Sequence, residues 1–157
     1  MEELKEFYVF EENKQFPIFV MEKPTVNRVA DKQMTKDGIH MIIGIQMDRT
    51  MQMMLRDRVL SKLGDILELP LTNEWKDVLD EGISKGHTNW QMYGSQKPGF
   101  DVYKLSYYVT AELDTNDNDW ITTPKSIKDF NLSKDLCLLS AQSVSYTHLT
   151  LPTICSV

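Results

Sequence analysis

The sequence predicts an α+β fold. Short apolar runs rich in β-branched and aromatic residues are separated by polar turns, one long stretch has helical spacing, and that helix falls between non-adjacent strand segments. The first strand is Phe16–Glu22, FPIFVME, a buried run ended by Lys23-Pro24. Residues 25–37 are polar and read as loop, and residues 39–45 read as a second buried strand. Residues 48–69 are the clearest helix. Asp48 is placed to cap it, and Met51, Leu55, Val59, Leu63 and Leu67 recur at helical spacing, a stripe expected to face the core. Pro70 lies just beyond, and residues 75–79 lead into Asp80. Residues 89–93 and 102–113 read as strands, joined across GSQKPG as a hairpin or near-hairpin. Residues 114–119, DTNDND, are a loop, and residues 126–140 are weakly helical.

The chain has 157 residues and a net charge of −6. That length suits one domain with a real core. The acidic balance argues against a free-standing nucleic-acid binder, which carries a basic excess, and is compatible with an enzyme whose basic residues cluster locally. Two cysteines with no metal-type spacing leave neither a disulfide framework nor a zinc site to argue for. The start, MEELKEFYVFEENK, is too charged for a signal peptide, and no apolar run approaches a membrane span. The expected setting is intracellular, without a membrane.

Chemistry concentrates in residues 78–105, VLDEGISKGHTNWQMYGSQKPGFDVYKL. Val78-Leu79 delivers one carboxylate, Asp80, expected at a strand end among apolar neighbours, where it needs a cation or donors to offset desolvation. Taken alone, Asp80 reads as a loop aspartate capping Gly82 or the following turn. Lys97 sits in a tight turn, where a point charge reaches a phosphate without burial; its ordinary reading is a solvated turn lysine. Gly94 and Gly99 permit unusual dihedrals and Pro98 fixes the turn. Trp90 and Tyr93 lie three apart, so on a strand they face opposite sides: Trp90 is assigned to the core, leaving Tyr93 to stack on a base. Upstream, residues 36–43, KDGIHMII, place His40 at the opening of an apolar strand. An isolated histidine there reads as a satisfied core residue.

The run Asn89-Trp90-Gln91-Met92-Tyr93-Gly94-Ser95-Gln96-Lys97, preceded by apolar-Asp80, closely resembles the third motif region of archaeo-eukaryotic primases, especially the primase–helicases of giant viruses and other large DNA viruses. KDGIH is similar to the second motif, with Gly38 where many relatives have Ser. The resemblance covers roughly residues 16–140. It implies part of a primase catalytic domain, a small, mainly antiparallel sheet with packed helices, in residues 1–143. It implies that Asp80 is one of three acidic metal ligands and catalytic, holding Mg²⁺ or Mn²⁺ for nucleotidyl transfer. His40 is the implied catalytic and triphosphate-contacting histidine. Lys97, Lys36, Gln91 and Ser95 are the implied phosphate- or nucleotide-binding residues; Gln91 stands where many relatives carry Arg. Tyr103 and Lys104 fall in the matched block without an assigned role. His40, Asp80 and Lys97 are expected to converge on one concave sheet face. The implied partners are nucleoside triphosphates, a single-stranded DNA template and a fused helicase domain, at a viral replication site in cytoplasm or nucleus. The family's first motif, two acidic residues one apart on a strand, has no counterpart: Glu11-Glu12 are adjacent and would point to opposite faces. The expectation is therefore an internal piece of a DNA primase, inactive alone. The alternative is a non-catalytic module that binds nucleotide or single-stranded nucleic acid in a replication complex.

Other motifs fail. Gly94 and Gly99 have Walker spacing, but Phe100 stands where Lys is needed. DTNDND starts like a calcium loop, but Asp119 replaces the turn glycine and Lys125 the closing Glu.

Residues 144–157, VSYTHLTLPTICSV, read as a translated sequencing adapter. GTC TCT TAT ACA CAT CTG ACG CTG CCG ACG encodes residues 144–153 without a mismatch. This tail is set apart from the fold as a non-native scar. Holding no Lys, Arg, Asp or Glu, it leaves the net charge with residues 1–143. It is expected to pack poorly and to make no contact with His40, Asp80 or Lys97. Deleting residues 144–157 should leave the unfolding free energy, measured with denaturant, unchanged within about 0.5 kcal/mol. A deletion that unfolds the domain would show that the tail belongs to it.

Overall fold

The structure is a computed structural model that describes residues 1–29, 31, 33–82, 84–85 and 93–139. It comprises two units: Met1–Glu11 with the described part of Gln46–Trp90, and Glu12–Ile45 with the described part of Gln91–Gln142. Among the described residues no helix is long and apolar enough to cross a membrane.

The first unit is helical. Helix α1 spans Arg49–Ile66, and the Asp48 carboxylate caps it by accepting the Met51 N–H at 2.8 Å. The cap was legible because an aspartate before a periodic run satisfies an otherwise orphaned N–H. The Met51, Leu55, Val59 and Leu63 stripe is the half-buried side of α1, but no α1 residue is fully buried and Leu67 is 42% exposed. The expected core stripe is thus a partial one. What packs on it in this unit is short: a 3₁₀ turn at Glu2–Glu6 and the one-turn helix α2, Trp75–Val78. Glu3 pairs with Arg58 at 2.6 Å and with Lys62, fastening the turn to α1.

The second unit is the sheet. Its strands are β1 (Phe16–Glu22), β4 (Ile39–Ile43), β5 (Lys104–Asp114) and β6 (Asp119–Pro124), in the order β4-β1-β5-β6, all antiparallel. A separate two-stranded ladder pairs β2 (Asn27–Val29) with β3 (Met34–Lys36). The fold is α+β with a small antiparallel sheet, as the sequence predicted.

β1 has the predicted bounds because FPIFVME is apolar on both pleat faces. Phe16 and Ile18 are buried on one face, Phe19 and Met21 on the other. Phe19, fully buried, stacks on Tyr108 with centroids 4.8 Å apart and meets Phe130 edge-on at 5.6 Å. Phe130 follows the 3₁₀ turn Ile127–Asp129. Beyond it come helix α3, Leu132–Asp135, and a second 3₁₀ turn, Leu136–Leu139. Residues 126–139 are therefore weakly helical, as expected, and they close one sheet face with Phe130.

Three strand expectations need correction. Residues 25–37 contain the β2–β3 hairpin; its strands are three residues long and largely exposed, so no apolar periodicity marks them. β4 ends at Ile43, short of residue 45, and is an edge strand, with Ile39 61% and Met41 55% exposed. Its apolar run imitates a buried strand, but the face that bears Ile39 and Met41 is left largely uncovered. β6 was not foreseen. Its residues are mostly exposed, and Pro124 is tolerated because β6 is the opposite edge. The β5–β6 turn falls in the predicted DTNDND loop: Asp114 Oδ1 accepts the Asn116 and Asp117 N–H groups at 2.9 and 3.4 Å, and Asn118 has φ +52°.

Phe19 is the keystone of this unit. Phe19→Ala should cost about 3–5 kcal/mol, read as a shift of the denaturation midpoint at unchanged m-value. A cost below about 1 kcal/mol would mean that the β1 core is not cooperative with the rest.

Candidate functional site

His40 lies on β4 opposite Met21 of β1, on the face that also carries Phe19. Tyr103 reaches that face through a register change. β1 pairs Val20 with Tyr107 but Met21 with Leu105, so Ser106 is an extra residue in β5. The bulge reverses the alternation of β5. Tyr103 and Leu105 then share the face of His40 and Met21, while Tyr107 and Val109 stay on the other. The Tyr103 ring stacks on the His40 imidazole, centroids 3.6 Å apart and 15° from parallel. Gly38 makes room for this: a Cβ there would lie 2.7 Å from the Tyr103 hydroxyl oxygen.

His40, Tyr103, Lys23, Lys97, Phe100 and Asp101 line one shallow depression of about 90 Å³. Lys23 is the residue just past β1, and its Nζ sits 5.1 Å from the Tyr103 ring centroid and 5.0 Å from that of Phe100. Lys97 and Phe100 belong to the 94–100 loop, whose Gly94 and Gly99 adopt φ of +77° and +80°. The Phe100 N–H donates to Lys97 O at 3.0 Å, tightening this turn. Asp101 is engaged by the Thr25 hydroxyl.

The electrostatics follow from this placement. Burial, and then the charges of Lys23 and Lys97, hold the His40 imidazole below its ordinary value. With an unperturbed imidazole near 6.5, His40 is neutral at pH 7 and presents one N–H. Burial, and then the Asp37 carboxylate, raise the Tyr103 phenol. The depression thus gathers two ammonium groups, a neutral imidazole, the Asp101 carboxylate and aromatic walls.

Of the sequence-predicted residues, His40 and Lys97 meet in this depression. Ser95 shares the Lys97 loop. Lys36, at the end of β3 and exposed, is not among the lining residues. Gln91 and Trp90 lie outside the described residues, as does most of the predicted strand 89–93; Tyr93 itself is in a turn, where its hydroxyl accepts the Leu105 N–H at 3.3 Å. Asp80 belongs to the first unit. It does not end a strand: it follows the one-turn helix α2, is exposed, and its Oδ1 accepts the Gly82 N–H at 2.8 Å. Arg56 of α1 fixes the residue before it, donating from Nε and Nη2 to Leu79 O at 2.9 and 2.7 Å. Lys23, Phe100, Asp101 and Arg56 were missed. Lys23 had been legible only as a strand terminator.

Comparison with known proteins decides the family. The sequence matches the family model described as C962R protein N-terminal AEP domain over residues 1–109, a span that holds both KDGIH and the 78–105 block. The chain belongs to this archaeo-eukaryotic primase family. No significant match to a curated protein or to a solved structure was found. Domains of this family typically use divalent metal ions. Among the described residues, no group of three or more His, Cys, Asp or Glu is placed to hold a metal ion.

The stack gives a direct test. In an NMR pH titration His40 should titrate below the ordinary imidazole range, and Lys97→Met should move it back up. Because the folded pKa is depressed, the unfolded chain binds the extra proton first. His40 therefore lowers stability as pH falls through about 6.5, and this contribution is absent above it. Gly38→Ala should displace Tyr103 and change the His40 ring-current shifts; unchanged shifts would mean that the stack does not depend on the glycine.

Proposed function

We propose that this chain supplies the phosphate-gripping part of a DNA primase. The observation that carries the reading is the meeting of His40 and Lys97 in one depression, with His40 a neutral N–H donor and Lys97 a fixed positive charge. These are the residue types that hold a triphosphate in place for in-line attack by a primer hydroxyl. Ser95, two residues before Lys97 on the same loop, and Gln91 are proposed as further polar contacts to the nucleotide, and Lys36 as a peripheral cation. The intact protein would copy a single-stranded DNA template by nucleotidyl transfer from nucleoside triphosphates with Mg²⁺ or Mn²⁺, joined to a helicase at a viral replication site. Asp80 is the one member of the acidic ligand set that this chain is proposed to contribute.

Residues 1–143 are proposed to be a partial catalytic domain, inactive alone, with residues 144–157 an adapter-derived tail. One carboxylate does not hold a metal pair, and Mg²⁺ sites recruit carboxylates together with substrate phosphates. A second reading, a binding module without chemistry, is favoured by the lack in this sequence of a counterpart to the family's first acidic motif.

Two measurements test this. With template, nucleoside triphosphates and Mg²⁺ or Mn²⁺, the chain should make no primer; template-dependent product would show that its acidic set is complete. A fluorescent nucleoside triphosphate should bind weakly, and His40→Gln and Lys97→Gln should each weaken it about tenfold, one charge-assisted or buried hydrogen bond. Affinity unmoved by both substitutions would sink the phosphate-gripping assignment.

A further inference from the structure

We propose that Lys23 is a phosphate-contacting residue of this site, its ammonium held by two aromatic faces to meet the polyphosphate chain of the nucleotide. The inference rests on the phosphate-binding reading of the depression and deepens it. Neither the 78–105 block nor KDGIH contains Lys23.

Three features carry it. The first is position. β1 ends at Glu22, and Pro24 prevents the ladder from continuing. Lys23 therefore leaves the sheet where β1, β4 and β5 together bear Met21, His40 and Leu105. The second is preorganisation. Lysine normally loses rotamer freedom when it is fixed, but the Lys23 ammonium is already over the Phe100 and Tyr103 rings at 5.0 and 5.1 Å. The rings orient the charge without neutralising it, as a carboxylate would. Asp101, the carboxylate lining the same depression, is engaged by Thr25.

The third is size and charge. The depression is small, about 90 Å³, and open to solvent, so a phosphoryl group can reach its lining side chains without burial. The titratable groups facing His40 are Lys23 from the end of β1, Lys97 and Asp101 from the loop before β5, and Tyr103, with Asp37 near the tyrosine. Among the lining residues, two ammonium charges stand against one carboxylate. An entering phosphate balances that charge, and Tyr103 couples Lys23 to His40 by touching both.

The full chain titrated with inorganic tripolyphosphate at two salt concentrations tests this. Lys23→Met should weaken binding about tenfold, the worth of one charge-assisted hydrogen bond, and flatten the salt dependence. Lys23→Arg should retain most of the affinity, and Lys128→Met, at an exposed lysine outside the lining residues, all of it. If Lys97→Met weakens binding and Lys23→Met does not, Lys23 is only a brace on the rings, and the phosphate reading stands without it. If the unsubstituted chain shows no saturable binding, the phosphate reading fails and takes the role of Lys23 with it. A measurement that needs no variant guards against misfolding: the Lys23 side-chain resonances should shift with the same half-saturation as those of His40. Lys23 signals that stay still while His40 responds overturn the proposal.

Discussion

Pairing of β1 on both edges is the constraint on which the sheet unit depends. A strand with neighbours on both sides has no backbone group to spare for water, so its register fixes what stands beside what. β4 lies against it without a slip, from Ile18 opposite Ile43 to Glu22 opposite Ile39. β5 lies against it with one extra residue, between Val20 and Met21. Because side chains alternate with period two, that residue decides which face everything N-terminal to it in β5 occupies. Without the bulge, Tyr103 would share the face of Tyr107, and His40 would have no ring beside it.

This explains where the sequence was transparent. β1 was legible to the residue because FPIFVME is apolar on both faces and is cut by Lys-Pro. The α1 cap was legible because a capping aspartate is a local signal. The motif resemblance singled out His40 and Lys97, and the structure places both in one depression. What stayed hidden is non-local. A one-residue bulge leaves no compositional mark, so Tyr103 carried no assigned role although it lies in the matched block. The β2–β3 hairpin and β6 bury too little to impose a pattern. Lys23 looked like punctuation because the rings that hold it lie more than seventy residues further along the chain.

The depression is in electrostatic tension before any ligand enters. Burial, and then Lys23 and Lys97, depress the His40 imidazole, so a third positive charge is disfavoured there. On the reading proposed above, a bound polyanion would offset the field of the two lysines and make a protonated His40 less costly, while burial would still oppose it. A uniformly charged patch of three permanent cations would attract any anion and would lack this coupling.

Asp80 obeys a different physics. Its carboxylate is exposed and already serves the local backbone by accepting from Gly82, the ordinary duty of an aspartate before a glycine turn. Those facts argue neither for nor against a metal, since an exposed carboxylate with a second oxygen available can do both. What distinguishes this aspartate is the attention given to the backbone just before it. Arg56, only 11% exposed at its side chain, spends its guanidinium on Leu79 O and Lys76 O, closing the end of α2 as a cation at a helix C-terminus does. A one-turn helix is too short to hold its own shape. Fixing its last carbonyls from α1 gives Asp80 a defined point of departure that the sequence 75–80 alone would not provide. If Asp80 is the metal ligand proposed above, this brace from α1 is what would hold the backbone that presents it.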